Sequence, residues 1–352
     1  MEINQANEYI KSKIDEYCRD KVPDRPFTLK PDIILFLNKK EFEELNKGNI
    51  IFEFSFYKLK FAVLQLAELF YLVIVGDKNV ECNNEDFEIV NSTNQFFLAI
   101  VESLKLKIDD TFDPYEIIDN LSIYESSQNC ELNLIEPCFE PFKIYKIPEE
   151  IGKSNNDLML AIGKIIVSNE SIRNLSFSKE TIKIYNYYFD NNNFNYNIIS
   201  SYASFCWRYC FLDIYRCLEP LFRHLSLPGL KSGLGISKSV DEISELLYQH
   251  CGWRPQEIGS MKSLFKEDGS IVSSGLIQEF RDIGLSPDPN ENIGNIIYSL
   301  RNRIVHYQSS SEDIEGELTA QKWDSLIMCL LKALIELRTK YNCTATSAQV
   351  NP

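Results

Sequence analysis

Residues 292–307 read NIGNIIYSLRNRIVHY, and the interpretation of the chain turns on this stretch. Ile293, Ile296, Ile297, Leu300 and Ile304 recur at i, i+3, i+4, i+7 and i+11, one stripe of a 3.6-residue period. The spacing predicts an amphipathic helix over 292–306. Its apolar stripe needs a partner surface, while Arg301, Asn302, Arg303 and His306 gather at its C-terminal end.

The segments on either side are also helical in pattern. A long helix is expected over 199–225, stopped by Leu227, Pro228 and Gly229, with further helices over 239–249, 255–266 and 274–283. A polar stretch, 308–317, precedes a helix over 319–341. There Thr319 is a fitting N-cap, and Trp323, Leu326, Ile327, Leu330, Leu331, Leu334, Ile335 and Leu337 form an apolar face. Together these segments predict an all-helical bundle over 198–352.

Upstream the pattern mixes α and β. Residues 3–19, 59–75 and 158–167 read as helices, the second of them buried. Residues 32–37, 50–57, 87–90, 96–101 and 142–147 read as strands. Residues 185–197, YNYYFDNNNFNYN, carry six Asn, a residue that favours turns, and are expected to connect two domains. The predicted organisation is an α+β domain over 1–197 followed by the helical bundle over 198–352.

Composition bounds the function. The chain has 352 residues, 44% hydrophobic and 25% charged, the balance of a folded protein, and a net charge of -15. Residues 201–352 hold 15 basic and 18 acidic side chains, against 21 and 33 in 1–200, so the acidic excess is N-terminal. A surface this acidic does not coat nucleic acid or an anionic membrane; any RNA contact must be local. Ten cysteines are too sparse for a disulfide scaffold. The N-terminal residues show no signal-peptide pattern, and the most apolar stretch, 61–75, is interrupted by Gln65 and Glu68. A cytoplasmic, reducing setting with free thiols is expected.

Arg301, Asn302 and His306 are the residues with readable chemistry. Cleaving RNA without a metal requires taking the proton from a 2′-hydroxyl, and His is the side chain that titrates near neutrality. The transition state spreads negative charge over phosphoryl oxygens, which a permanently charged, forked guanidinium stabilises. The arrangement resembles the signature of the HEPN superfamily. That signature is an Arg, a following polar residue such as Asn, His or Asp, and a His after four to six intervening residues, near the end of one helix of a small bundle. By motif the resemblance covers 301–306, and by helical layout 199–341.

The resemblance implies a metal-independent endoribonuclease with Arg301, Asn302 and His306 catalytic, Arg303 contacting RNA, and no cofactor. An N-terminal sensor or partner-binding domain ahead of such a nuclease is similar to bacterial abortive-infection proteins. It implies a toxin-like effector of phage defence or stress, with a regulatory protein or phage trigger bound by the N-terminal domain. One subgroup places a modified Tyr two residues after the His; here Gln308 takes that place.

On an ideal helix Arg301 and His306 stand roughly 140° apart. Either the helix frays before His306 or two chains build one composite site, so a homodimer is expected, with the 323–337 face serving a core or an interface. The competing reading is a non-catalytic HEPN-like dimerisation or interaction module. His224 and His250 read as structural, Cys206, Cys210 and Cys217 as buried thiols on one helix face, 229–235 as a loop, and Asp109, Asp110 and Asp113 as an acidic turn.

Overall fold

The computed structural model describes residues 3–25, 35, 37, 40, 41, 43, 48–82, 84–123, 132–191, 195–266, 272–286, 288, 290–305 and 318–341. The chain forms two compact units, Met1–Leu158 and Met159–Pro352.

The first unit is α+β. Its sheet has five antiparallel strands in the order β1-β2-β3-β5-β4: β1 Asn49–Phe56, β2 Leu59–Leu66, β3 Leu69–Val75, β4 Glu88–Val90 and β5 Phe142–Ile147. The strands β2 and β3 replace the helix expected over 59–75. Phe61, Ala62, Val63 and Leu64 are completely buried, as are Leu72 and Val73, so both faces of the hairpin are covered. A strand buried on both faces loses its alternation and reads like a buried helix.

The turns hide the hairpin too. Pairing of Phe56 with Leu59 and of Leu66 with Leu69 leaves Tyr57-Lys58 and Ala67-Glu68 as two-residue connections. Such turns normally announce themselves with Asn-Gly or Gly. Here Tyr57 and Ala67 take the positive φ instead, 64° and 54°.

Helix α1, Ile3–Lys21, buries Ala6, Ile10, Ile14 and Cys18 at four-residue spacing. These residues share a core with Ala62, Leu64, Leu66, Tyr71, Val73 and Val75, and with α2, Asn94–Leu104. Fully burying each large aliphatic side chain contributes about 1.5–3 kcal/mol. The strand expected over 96–101 is part of α2. Thr93 starts the helix by accepting a hydrogen bond from the Phe96 backbone, and Phe96 to Val101 are all buried, which erases any period. Helix α3 spans Pro114–Ile123. The strand expected over 32–37 lies outside the described residues apart from Leu35 and Leu37, which are in no strand.

The second unit contains only helices among its described residues. Helix α4, Asn155–Ser168, runs across the division between the units. Helices α5, Lys179–Asp190, and α6, Tyr196–Tyr202, occupy most of the Asn-rich stretch read as a connection. Tyr185, Tyr188 and Phe189, at i, i+3 and i+4, are wholly buried, and their burial overrides the turn preference of Asn. The units therefore divide at 158/159, not at 197/198.

The helix expected over 199–225 is broken into α6, α7 (Trp207–Leu218), a 3-10 turn Glu219–Phe222 containing Pro220, and α8 (Arg223–Leu234). Pro228 sits inside α8 and does not stop it. The helix runs through the expected 229–235 loop and ends at Gly235, whose φ of 61° suits a left-handed cap. Helix α9, Val240–Cys251, opens with a capping box between Ser239 and Glu242. Then come α10, Glu257–Leu264; α11, Ser274–Asp282; α12, Ile293–Val305; and α13, Ala320–Tyr341.

Thr319 starts α13 as expected, its Oγ1 accepting from Lys322 N at 3.3 Å. Trp323, Leu326, Ile327, Leu330, Leu331, Leu334 and Leu337 are at most 1% exposed, packed under α5, α7 and α11. Those residues belong to the unit's own core, while Ile335, the remaining member of the expected face, is half-buried. No helix among the described residues is long and apolar enough to cross a membrane.

Candidate functional site around Arg301

Helix α12 is laid against α10 backbone to backbone. Gly294 makes this possible: a Cβ there would fall 2.1 Å from the carbonyl oxygen of Met261 and 2.8 Å from Lys262 N. Ile293, Ile297 and Leu300 are buried, and Ile296 and Ile304 are half-buried, so the predicted stripe is the packed face. Arg301 lies two turns beyond Gly294, toward the same side of α12.

Three groups surround the Arg301 guanidinium. Nη1 donates to Asn302 Oδ1 at 3.0 Å. Nη2 stands 3.7 Å from Glu257 Oε1, with the two side chains 21% and 36% exposed. Cζ lies 5.8 Å from the centroid of the Tyr215 ring, a cation–π contact from α7. Arg301 is thus a half-buried packing element as well as a charge.

Tyr215 is 1% exposed, and its hydroxyl has no hydrogen-bond partner among the described residues. Burial raises its phenol above the ordinary range, the charges of Glu257 and Glu219 add to that, and Arg301 opposes it. The Glu219 carboxyl, at the end of α7, is also raised, first by burial and then by the like charge of Glu257, against Arg301 and Arg216. One guanidinium therefore pairs with one carboxylate and lies within electrostatic reach of a second. Such a cluster repels a phosphate unless a carboxylate moves or takes a proton.

Of the residues singled out from the sequence, Arg301 and Asn302 are brought together. Arg303 is exposed and roughly 200° around α12 from Arg301, so the two cations do not share a face. His306 lies outside the described residues. Sequence reasoning missed Tyr215, Glu219 and Glu257. They come from α7 and α10, and no local spacing links them to Arg301.

Most of the other candidates have structural roles, but His250, in the last turn of α9, is exposed. His224 stacks on Tyr341 at 5.5 Å, with Nε2 3.4 Å from Asp241. Burial lowers its pKa despite that carboxylate. Cys210 and Cys217 are buried, and burial pushes the Cys217 thiol up to about 12, whereas Cys206, expected to be buried with them, is only half-buried where α7 begins. Asp109 Oδ1 accepts from Thr111 N and Oγ1, and Asp113 Oδ1 from Tyr115 N, so these carboxylates organise a turn. Among the described residues no three His, Cys, Asp or Glu side chains are grouped so as to hold a metal ion. Compared with known proteins, the chain matches no family model, no curated protein and no solved structure.

Proposed function

We propose that the second unit is a HEPN-like endoribonuclease that cleaves RNA without a metal, an effector of a phage-defence or stress system. In this reading the His306 imidazole takes the 2′-hydroxyl proton, and that oxygen attacks the adjacent phosphorus. The 5′-oxygen leaves with a proton, giving a 2′,3′-cyclic phosphate and a 5′-hydroxyl. Arg301 stabilises the charge on the phosphoryl oxygens, Asn302 orients Arg301, and Arg303 contacts the RNA backbone.

One observation carries the reading: at the end of α12, Asn302 Oδ1 holds the Arg301 guanidinium at 3.0 Å, a fixed donor fork near the surface of a helical unit. A homodimer sharing two such motifs remains part of the proposal on the roughly 140° offset between Arg301 and His306. The second reading, a non-catalytic interaction module, draws support from Glu257, which already neutralises Arg301.

The test is total RNA incubated with the full chain in EDTA. Fragments ending in 2′,3′-cyclic phosphate, absent with His306→Ala, are expected. Cleavage that disappears in EDTA and returns with Mg²⁺, or that His306→Ala leaves intact, overturns the reading.

A further inference from the structure

We propose that Glu257 occupies, from within the chain, the phosphate site that Arg301 offers, so that the resting protein is latent until the start of α10 moves aside. This rests on the reading of Arg301 as the phosphate-binding cation.

The chemistry of the occupant fits. A carboxylate is an oxygen anion like a phosphate, and Glu257 Oε1 faces Nη2 of Arg301. At 3.7 Å the contact is an ion pair but longer than a hydrogen bond. A partly exposed pair of this kind holds weakly. It cancels the charge of Arg301 without locking the side chain, as an exchangeable occupant must.

The rest of the site is unsettled in the same direction. Buried donors in a settled cluster have partners. The Tyr215 hydroxyl is buried, within electrostatic reach of Glu257, Arg301 and Glu219, and bonded to none of them. An incoming phosphate oxygen supplies the acceptor it lacks among the described residues. Glu219, a second carboxyl within electrostatic reach of Arg301, adds to the repulsion of RNA whenever it is ionised.

The backbone permits opening. Glu257 is the first residue of α10, and Gln256 before it makes no side-chain cap. Residues 252–256 are not helical, and Gly252 ends α9 at φ 63° with open space around it. The start of α10 is therefore held by fewer bonds than the rest of the helix.

Binding of a fluorescein-labelled 2′-O-methyl oligoribonucleotide, which has no free 2′-hydroxyl and is not cut, tests the proposal by anisotropy on the full chain. Glu257→Gln keeps shape and removes charge, and should bind roughly tenfold tighter than wild type. Adding Arg301→Gln should abolish the gain. Glu180→Gln, the same charge change at an exposed position on α5, should leave affinity unchanged. Glu257→Gln affinity equal to or weaker than wild type, or an equal gain from Glu180→Gln, overturns the latch. Cleavage is scored apart. If Glu257→Gln binds tighter but no form cuts RNA, the latch stands and the nuclease reading falls; if wild type cuts and Glu257→Gln binds no better, the reverse holds.

Discussion

The hydroxyl of Tyr185 on α5 lies 2.9 Å from that of Ser201 on α6, and both residues are completely buried. Ser201 Oγ donates to Ile198 O at 2.8 Å, so Tyr185 is the donor between the two hydroxyls. Cys210 Sγ of α7 stands 3.7 Å from Tyr185 Oη, which makes one hydrogen-bonded run through three helices. The two helices that take up the ends of the Asn-rich stretch therefore belong to a single core. Tyr185→Phe, which leaves the inner end of this run unsatisfied, should cost about 1–3 kcal/mol in urea unfolding of the second unit.

The same run sets where the chain can be cut. A fragment of residues 155–352 should unfold cooperatively, as followed by circular dichroism. A fragment of 198–352 lacks Tyr185, Tyr188 and Phe189 and should show no cooperative transition. Equal cooperativity in both would place the boundary back at the Asn-rich stretch.

Ala67 holds a left-handed φ of 54° at an exposed turn. An L residue there costs about 1–2 kcal/mol, and Gly gives back about 0.5–1 in chain entropy. Ala67→Gly should therefore stabilise the first unit by roughly 0.5–1 kcal/mol, read as a higher urea midpoint at unchanged slope.

Glu219 ionises less readily in the folded chain than its ordinary value of 4.5. A raised folded pKa contributes stability that is complete below the unfolded pKa and is lost as pH rises through the folded one. Glu219→Gln lacks that loss. Its melting temperature should exceed that of wild type at pH 8, and the gap should close toward pH 4; a gap independent of pH would exclude burial of the charge as its origin.

Arg301→Ala removes packing on Tyr215 along with the fork, so it tests two things at once. Arg301→Lys keeps a cation over the ring and loses the second nitrogen. On the nuclease reading, single-turnover cleavage by Arg301→Lys should fall by roughly 10²-fold with the melting curve nearly unchanged.

Gly294→Ala should be among the most damaging small substitutions in the second unit. The new methyl meets the backbone of Met261 and Lys262, which cannot rotate away as a side chain does. A loss of about 3 kcal/mol is expected in urea unfolding.

The helical half was readable wherever one face of a helix was left polar. The Ile293, Ile297 and Leu300 stripe, the Thr319 cap and the Ser239–Glu242 box all start from local spacing. Reading failed where burial was complete. Phe96 to Val101 are covered on every side and the central residues of β2 and β3 on both faces, and an apolar run buried in this way carries no period to tell helix from strand. It failed again at 185–197, where three aromatics in a core outweighed the Asn around them. In the site, Arg301 and Asn302 were legible because they are neighbours in sequence on one helix. Glu257 and Tyr215 arrive from other helices, and only packing discloses them.

The contact at Gly294 has a mechanical consequence. It pins α10 at Met261, while Glu257, four residues earlier, starts from an uncapped end. A helix held that way is a lever with its fulcrum at mid-length. Four residues make an arm of about 6 Å, so a pivot of about 20° carries its tip about 2 Å. The arm's length, more than the strength of the ion pair, sets how far the carboxylate travels, and lengthening α10 by a turn would change the stroke without touching a charge.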